Sequence, residues 1–277
     1  MESHDSDRRD PEQSRLYELV EAGSEIAGSV TGASLGFFVA GPVGAVAGAA
    51  SGSVAAQILR RVGTEIAERI VGPRQRIRMG AALLVAAEEI NRRLEAGDEL
   101  RRDGFFGVEG ERADADEVLE GVLLHAANEY EERKVPLIAN LFASIAFDEA
   151  VSPARATYLL QLADRLTYRQ LLVLALFSSQ RFDAELVFVD AGRAGGTVNR
   201  DADAVADADA LGHAGLLGVL QEGGWSANMA SVVNGGSFRS ISLAKAHPTR
   251  MGEELYRLMH LDAVPDEALR DVLDDLQ

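Results

Sequence analysis

The feature that most constrains this chain is a long stretch without charge. From Ala27 to Leu59 there is no Asp, Glu, Lys, Arg or His. Within it a small residue recurs every fourth position: Ser24, Gly28, Gly32, Gly36, Ala40, Gly44, Gly48, Gly52 and Ala56. At helical spacing these form one stripe almost free of side chains, along which a second helix can approach closely. Each glycine in a water-exposed helix costs about 0.5–1 kcal/mol relative to alanine. Repeated glycine therefore points to close packing or to a membrane. The run exceeds the roughly 20 apolar residues of a single span. Gly41-Pro42 divides it, so it reads either as one kinked helix or as a hairpin of two short arms.

Charge is distributed to match. The chain carries a net charge of −17. The charge-free run is followed at once by Arg60, Arg61, Arg69, Arg74, Arg76 and Arg78, against only Glu65 and Glu68. Arginines beside an apolar run suit anionic headgroups on the inner leaflet, and they orient a span by the positive-inside rule. The competing reading is a solvated helix face with Glu65 and Glu68 as partners. Elsewhere the acidic balance repels phosphate backbones, so nucleic-acid binding is not expected. The absence of cysteine excludes disulfides and thiolate chemistry and fits a reducing cytoplasm. Met1 to Arg15 lacks the basic and apolar regions of a signal peptide.

The expected fold class is mainly α: a glycine-zipper helical segment, a central helical bundle and a C-terminal α+β winged-helix-like domain. The expected parts are a mobile tail (1–22), a membrane segment (23–59), a helical domain (60–150) and the winged-helix-like domain (151–277). Periodicity predicts a helix from Val54 to Val71, with Ile58, Leu59, Val62, Ile66 and Ile70 on one side. Gly72-Pro73 ends it. A helix from Arg74 to Arg101 follows, with Ala81, Leu84, Ala87, Ile90 and Leu94 apolar. Asp103 to Gly110 reads as a loop, and Asp114 to Lys134 as a helix with Val118, Val122, Leu123 and Tyr130 inward. Pro136 restarts or kinks the chain into a helix ending near Phe147. Ser152-Pro153 opens a helix to about Leu166, and the capping pair Thr167 and Gln170 opens another to about Ser178.

Beyond this, Leu186 to Asp190 reads as a strand and Asp207 to Gln221 as a helix with Leu211, Leu216, Leu217 and Leu220 apolar. Ser231–Val233 and Phe238–Leu243 flank the turn signal Asn234-Gly235-Gly236. Thr249 opens a last helix bearing Leu255, Leu258 and Met259. The candidate recognition helix is acidic, with Asp201, Asp203, Asp207 and Asp209 and no Lys or Arg. Major-groove readers need basic or amide side chains there, so a protein contact is the expected use.

No catalytic, metal or cofactor site is expected. His125 and Glu129 share a helix face but make no metal site, and read as a surface polar pair. The glycine-rich segment Ala191 to Gly196 lacks the lysine and hydroxyl of a phosphate loop.

Residues 128–177 bring together Asn-Glu-Tyr-Glu-Glu-Arg-Lys, Leu137-Ile-Ala-Asn-Leu-Phe, Leu159-Leu-Gln-Leu and Leu166-Thr-Tyr-Arg-Gln-Leu-Leu. The order of an acidic helix, an apolar helix and a leucine-rich pair resembles the Abi-alpha abortive-infection proteins of bacteria. Pro136, between the first two helices, departs from that order. The resemblance implies anti-phage defence through damage to the host membrane, and no catalytic residues. The expectation is therefore a non-enzymatic membrane effector at the cytoplasmic inner face. It would insert and self-associate through Gly28, Gly32, Gly36, Ala40, Gly44, Gly48 and Gly52, with a protein partner on the C-terminal domain. The alternative is a soluble adaptor or regulator.

Overall fold

The computed structural model describes residues 53–69, 72–107, 112–179, 181–182, 202–220, 226–228 and 246–276. The described chain is mainly helical, and it divides into two compact units between Asp164 and Arg165. The segments predicted as strands at 186–190, 231–233 and 238–243 lie outside the described residues, as do the tail and the glycine stripe up to Gly52.

The first unit holds α1 (Val54–Arg69), α2 (Pro73–Glu95), α3 (Asp114–Asn128), a 3-10 turn (Glu132–Lys134), α4 (Val135–Ile145) and α5 (Pro153–Arg165). Their order is up, down, up, down and up. Gly63 of α1 faces Leu83 of α2, which makes an antiparallel hairpin across Gly72-Pro73. Gln75 bonds Asn128 at 2.9 Å, so the start of α2 meets the end of α3. Arg78 meets Glu132 before α4, and Arg93 lies 4.1 Å over the Phe147 ring beyond it, so α2 and α4 run parallel. His125 pairs with Asp164 at 2.7 Å, which sets α5 along α3. Every residue of α4 is buried. A helix apolar on all sides belongs at the centre of a core.

Two helix ends differ from expectation. The helix predicted to reach Arg101 stops at Glu95. Gly97 adopts φ +95°, Gly97 N–H bonds Leu94 O and Asp98 N–H bonds Arg93 O. This is the paired closure by which a left-handed glycine ends a helix. Arg101 instead serves the end of α4. Its buried guanidinium donates to the carbonyls of Ile145 (3.3 Å) and Val151 (2.8 Å), pairs with Asp103, and lies 4.4 Å over the Phe105 ring. Cationic donors suit the unpaired carbonyls of a helix C-terminus. That guanidinium also holds the Asp103 carboxyl below its ordinary value by hydrogen bonding.

The helix predicted from Asp114 to Lys134 ends at Asn128, and Tyr130, expected inward, is 81% exposed. Pro136 has no N–H and cannot continue a helix begun upstream, so the chain restarts at Val135 with proline in the first turn.

The second unit holds α6 (Tyr168–Ser178), α7 (Ala202–His213), β1 (Leu217–Leu220), β2 (Ser226–Asn228), β3 (Ala246–Pro248), α8 (Arg250–Leu258) and α9 (Asp266–Leu276). Thr167 and Gln170 cap α6 reciprocally, each at 3.1 Å, as their spacing predicts. Thr249 caps α8, bonding Gly252 N–H at 3.2 Å. The described strands form one antiparallel sheet in the order β2-β1-β3, with Gly218 opposite Asn228 and His247.

The helix predicted to Gln221 therefore needs correction. It ends at His213, Gly215 turns the chain at φ +74°, and the Leu-Gly-Val-Leu segment becomes the central strand. Helix α9 was not anticipated, although Leu269, Val272 and Leu273 sit at helical spacing and are buried. Arg169 of α6 ties the helices together through Asp207 of α7 (2.9 Å) and Asp275 of α9 (2.7 Å).

Candidate functional site

The candidate site is the junction of the charge-free run with the arginine cluster. Gly28, Gly32, Gly36, Ala40, Gly44, Gly48 and Gly52 lie outside the described residues. Of the four-residue series only Ala56 lies inside them, and it is fully buried in α1. Ala55, Ile58 and Leu59 are buried beside it. The end of the charge-free run is thus part of a folded core and is not free for lipid. Ser53 starts α1, its hydroxyl accepting from Ala56 N–H at 3.2 Å. The boundary expected at 59/60 falls inside this helix.

The arginines do not form one patch. Arg60 and Arg61 sit on the second turn of α1, near the point where the run enters. Arg69, Arg74, Arg76 and Arg78 sit at the far end of the hairpin. An α-helix of the length of α1 (16 residues) spans about 24 Å. Their charges are also largely engaged. Arg61 bridges both carboxylate oxygens of Asp116, whose side chain is only 3% exposed and also accepts from Ala113 N–H at 3.0 Å. Arg69 pairs with Glu65 and, at 3.0 Å, with Glu120. Arg78 is 3.4 Å from Glu132. The side-chain nitrogen of Arg60 donates to Ala56 O at 3.3 Å. Arg74 and Arg76 are exposed on the first turn of α2. Cross-helix ion pairing accounts for Arg61, Arg69 and Arg78.

Two further groups carry chemistry that the sequence did not reveal. Glu129 is buried, not a surface partner of His125. It pairs with Lys134 at 2.5 Å, and both side chains are almost wholly inaccessible. His125 pairs with Asp164 instead. The second group is Glu88 on α2. One of its carboxylate oxygens is buried without a partner, and burial pushes the carboxyl from 4.5 up to about 7.

The raised value favours the neutral carboxyl in the fold. Its contribution to stability is complete below about pH 4.5 and is lost as pH rises through about 7. Linkage for the full shift would give about 3 kcal/mol; solvent screening of a partly exposed group reduces this to about 1–2 kcal/mol. Glu88→Gln is therefore expected to match the parent near pH 4.5 and to exceed it by about that amount above pH 7.5. Urea unfolding at several pH values measures it, and parallel pH profiles for parent and variant would refute it.

Among the described residues no helix is long and apolar enough to cross a membrane, and no group of His, Asp and Glu is placed to hold a metal ion. Comparison of the chain with family models, with curated proteins and with solved structures gives no match.

Proposed function

We propose that this chain is a non-enzymatic effector that acts on a membrane through residues 27–52, with the helical unit from Ser53 onward as its carrier. One observation carries the reading. The stretch from Ala27 to Gly52 holds no charge, and even after residues 54–59 are assigned to helix α1 it exceeds the roughly 20 residues of a span. The small-residue stripe supports self-association within the bilayer. The resemblance of residues 128–177 to abortive-infection proteins supports a setting in anti-phage defence, at the inner face of the cytoplasmic membrane. The C-terminal unit, winged-helix-like in this reading, serves as a protein contact. The acids of α7 and the pairing of Asp207 with Arg169 argue against DNA as its partner.

The ion pairs alter what is expected of the arginines. Arg61 and Arg78 bridge elements of the folded unit, so their replacement acts on stability. Any attraction to anionic lipid falls to Arg74, exposed on the first turn of α2, with Arg60 nearest the run. A chain lacking residues 24–52 is expected to stay in the supernatant with vesicles of anionic lipid, while the parent sediments. Arg60→Gln with Arg74→Gln is expected to weaken sedimentation at low salt only, because exposed charges are screened within about 10 Å at 0.1 M salt. Equal sedimentation of the parent and the shortened chain would end the membrane reading.

One observation favours a second reading, a soluble adaptor. Ala55, Ala56, Ile58 and Leu59, at the end of the run, are buried in the packing of α1, which supports this reading. That reading gains if the parent leaves vesicles untouched while still arresting growth on induction.

A further inference from the structure

Among the described residues of the first unit, buried polar side chains are paired, with one exception. Glu89 meets Arg92, and Arg101 meets Asp103 and two carbonyls. Asp116 meets Arg61, Glu129 meets Lys134, and Ser144 also has a partner. The exception is Asn140. It stands at the middle of α4, the helix whose every residue is buried, and is itself 0% exposed. Its amide offers two N–H donors and two acceptor lone pairs. Neither Nδ2 nor Oδ1 has a hydrogen-bond partner in the protein. The rest of α4 is largely apolar, with Leu137, Ile138, Leu141, Phe142 and Ile145 all fully buried.

We propose that Asn140 and Ser144 hold an ordered water molecule inside the first unit, an internal hydration site on one face of α4. The site is independent of how the chain acts on lipid.

Magnitudes decide between a dry amide and a wet one. Each buried donor or acceptor left unpaired lowers the folding equilibrium constant by about five- to a hundredfold. For Oδ1 and Nδ2 together the loss is roughly thirtyfold or more. Ordering one water costs about thirtyfold at the most and commonly far less. Hydration is therefore favoured over nearly the whole range. Such a water is a fixed part of a fold and costly to remove.

Geometry selects the second partner. A buried water takes about two to four polar contacts. Ser144 lies four residues from Asn140, on the same face of α4, and is 3% exposed. Residues at that spacing have Cβ atoms about 5–6 Å apart. Two hydrogen bonds of about 2.8 Å each span that gap, so one water reaches both side chains. A hydroxyl has one donor and two lone pairs, so a single partner does not exhaust Ser144.

The full chain, isotope-labelled, is the material for the test. Water-selective NOE and ROE spectra are expected to show cross-peaks from water to the Asn140 side-chain amide protons, with the sign of a water held longer than molecular tumbling. Asn140→Leu, similar in branching, identifies those protons by their loss. A high-resolution crystal structure of the parent decides even if that variant fails to fold. It is expected to place a water within about 3.2 Å of the Asn140 amide and of the Ser144 hydroxyl. Ser144→Ala is expected to lower the occupancy of that water several-fold. A crystal structure in which the site is dry, or in which both amide atoms meet protein groups directly, overturns the proposal. So does a water at Asn140 that is unchanged in Ser144→Ala.

Discussion

Lys134→Met is expected to destabilise the first unit by about 3–5 kcal/mol, the cost of leaving one partner of a buried ion pair alone. Lys134 closes three elements at once. Its ammonium donates to the Glu129 carboxylate at 2.5 Å and to the carbonyl of Asp164, at the end of α5, at 3.1 Å. Glu129 lies just beyond α3, where its own N–H bonds His125 O at 2.9 Å. Its second carboxylate oxygen accepts from Glu131 N–H, also at 2.9 Å. Methionine fills a similar volume but leaves that carboxylate buried with one donor.

The double replacement Glu129→Leu with Lys134→Met removes both charges and is expected to recover much of the loss. Replacing a whole buried pair by apolar groups is often neutral or better. Thermal unfolding measures both, with a fall in midpoint on the order of 10 °C for the single variant. A loss below about 1 kcal/mol for Lys134→Met would show that water reaches the pair and that the turn does not depend on it.

What the sequence made legible is what a few neighbouring residues decide. Ser152-Pro153, Thr167 with Gln170, and Thr249 mark helix starts, because capping is a contact within one turn, and Gly72-Pro73 marks the break between two helices. Gly97 marks a stop in the same local way, although the apolar period through Leu94 predicts a helix that runs on to Arg101. Leu217 to Leu220 shows a different limit. A short leucine-rich run suits a helix or a buried strand equally, and only pairing with β2 and β3 decides.

The arginines show the same limit in charge. Arg61 looks unpaired in the sequence because Asp116 stands 55 positions away, and Arg69 shows only its neighbour Glu65 because Glu120 stands 51 positions away. Lys134 and Glu129 are close in sequence, yet their burial follows from the packing of α3, α4 and α5 around the turn. The run from Ala27 stays the best-defined feature of the sequence, and near its end Ala55, Ala56, Ile58 and Leu59 belong to the core because α2 and α3 pack against α1.

Gly252→Ala is expected to cost the second unit about 3 kcal/mol or more, at or beyond the top of the usual range for overpacking. A Cβ at this position would stand 2.2 Å from the carbonyl oxygen of Leu216 and 3.1 Å from its carbon. Those are backbone atoms and cannot rotate away. The same carbonyl accepts Thr249 N–H at 2.8 Å, and the Thr249 hydroxyl donates to Gly215 O at 2.6 Å. Moving α8 off the sheet to admit a methyl group strains both bonds together. Gly121→Ala is the matched control. Its Cβ would meet a terminal methyl of Leu160 at 2.9 Å, and a leucine can change rotamer, so the expected cost is below about 1.5 kcal/mol. Equal costs at the two glycines would refute the distinction between backbone and side-chain obstruction. The Gly252 variant also bears on function. On the proposed reading, in which residues 27–52 carry membrane association, vesicle binding is expected to survive a weakened second unit. Loss of vesicle binding in Gly252→Ala, with the first unit still folded, would mean that the sheet-bearing unit takes part in binding.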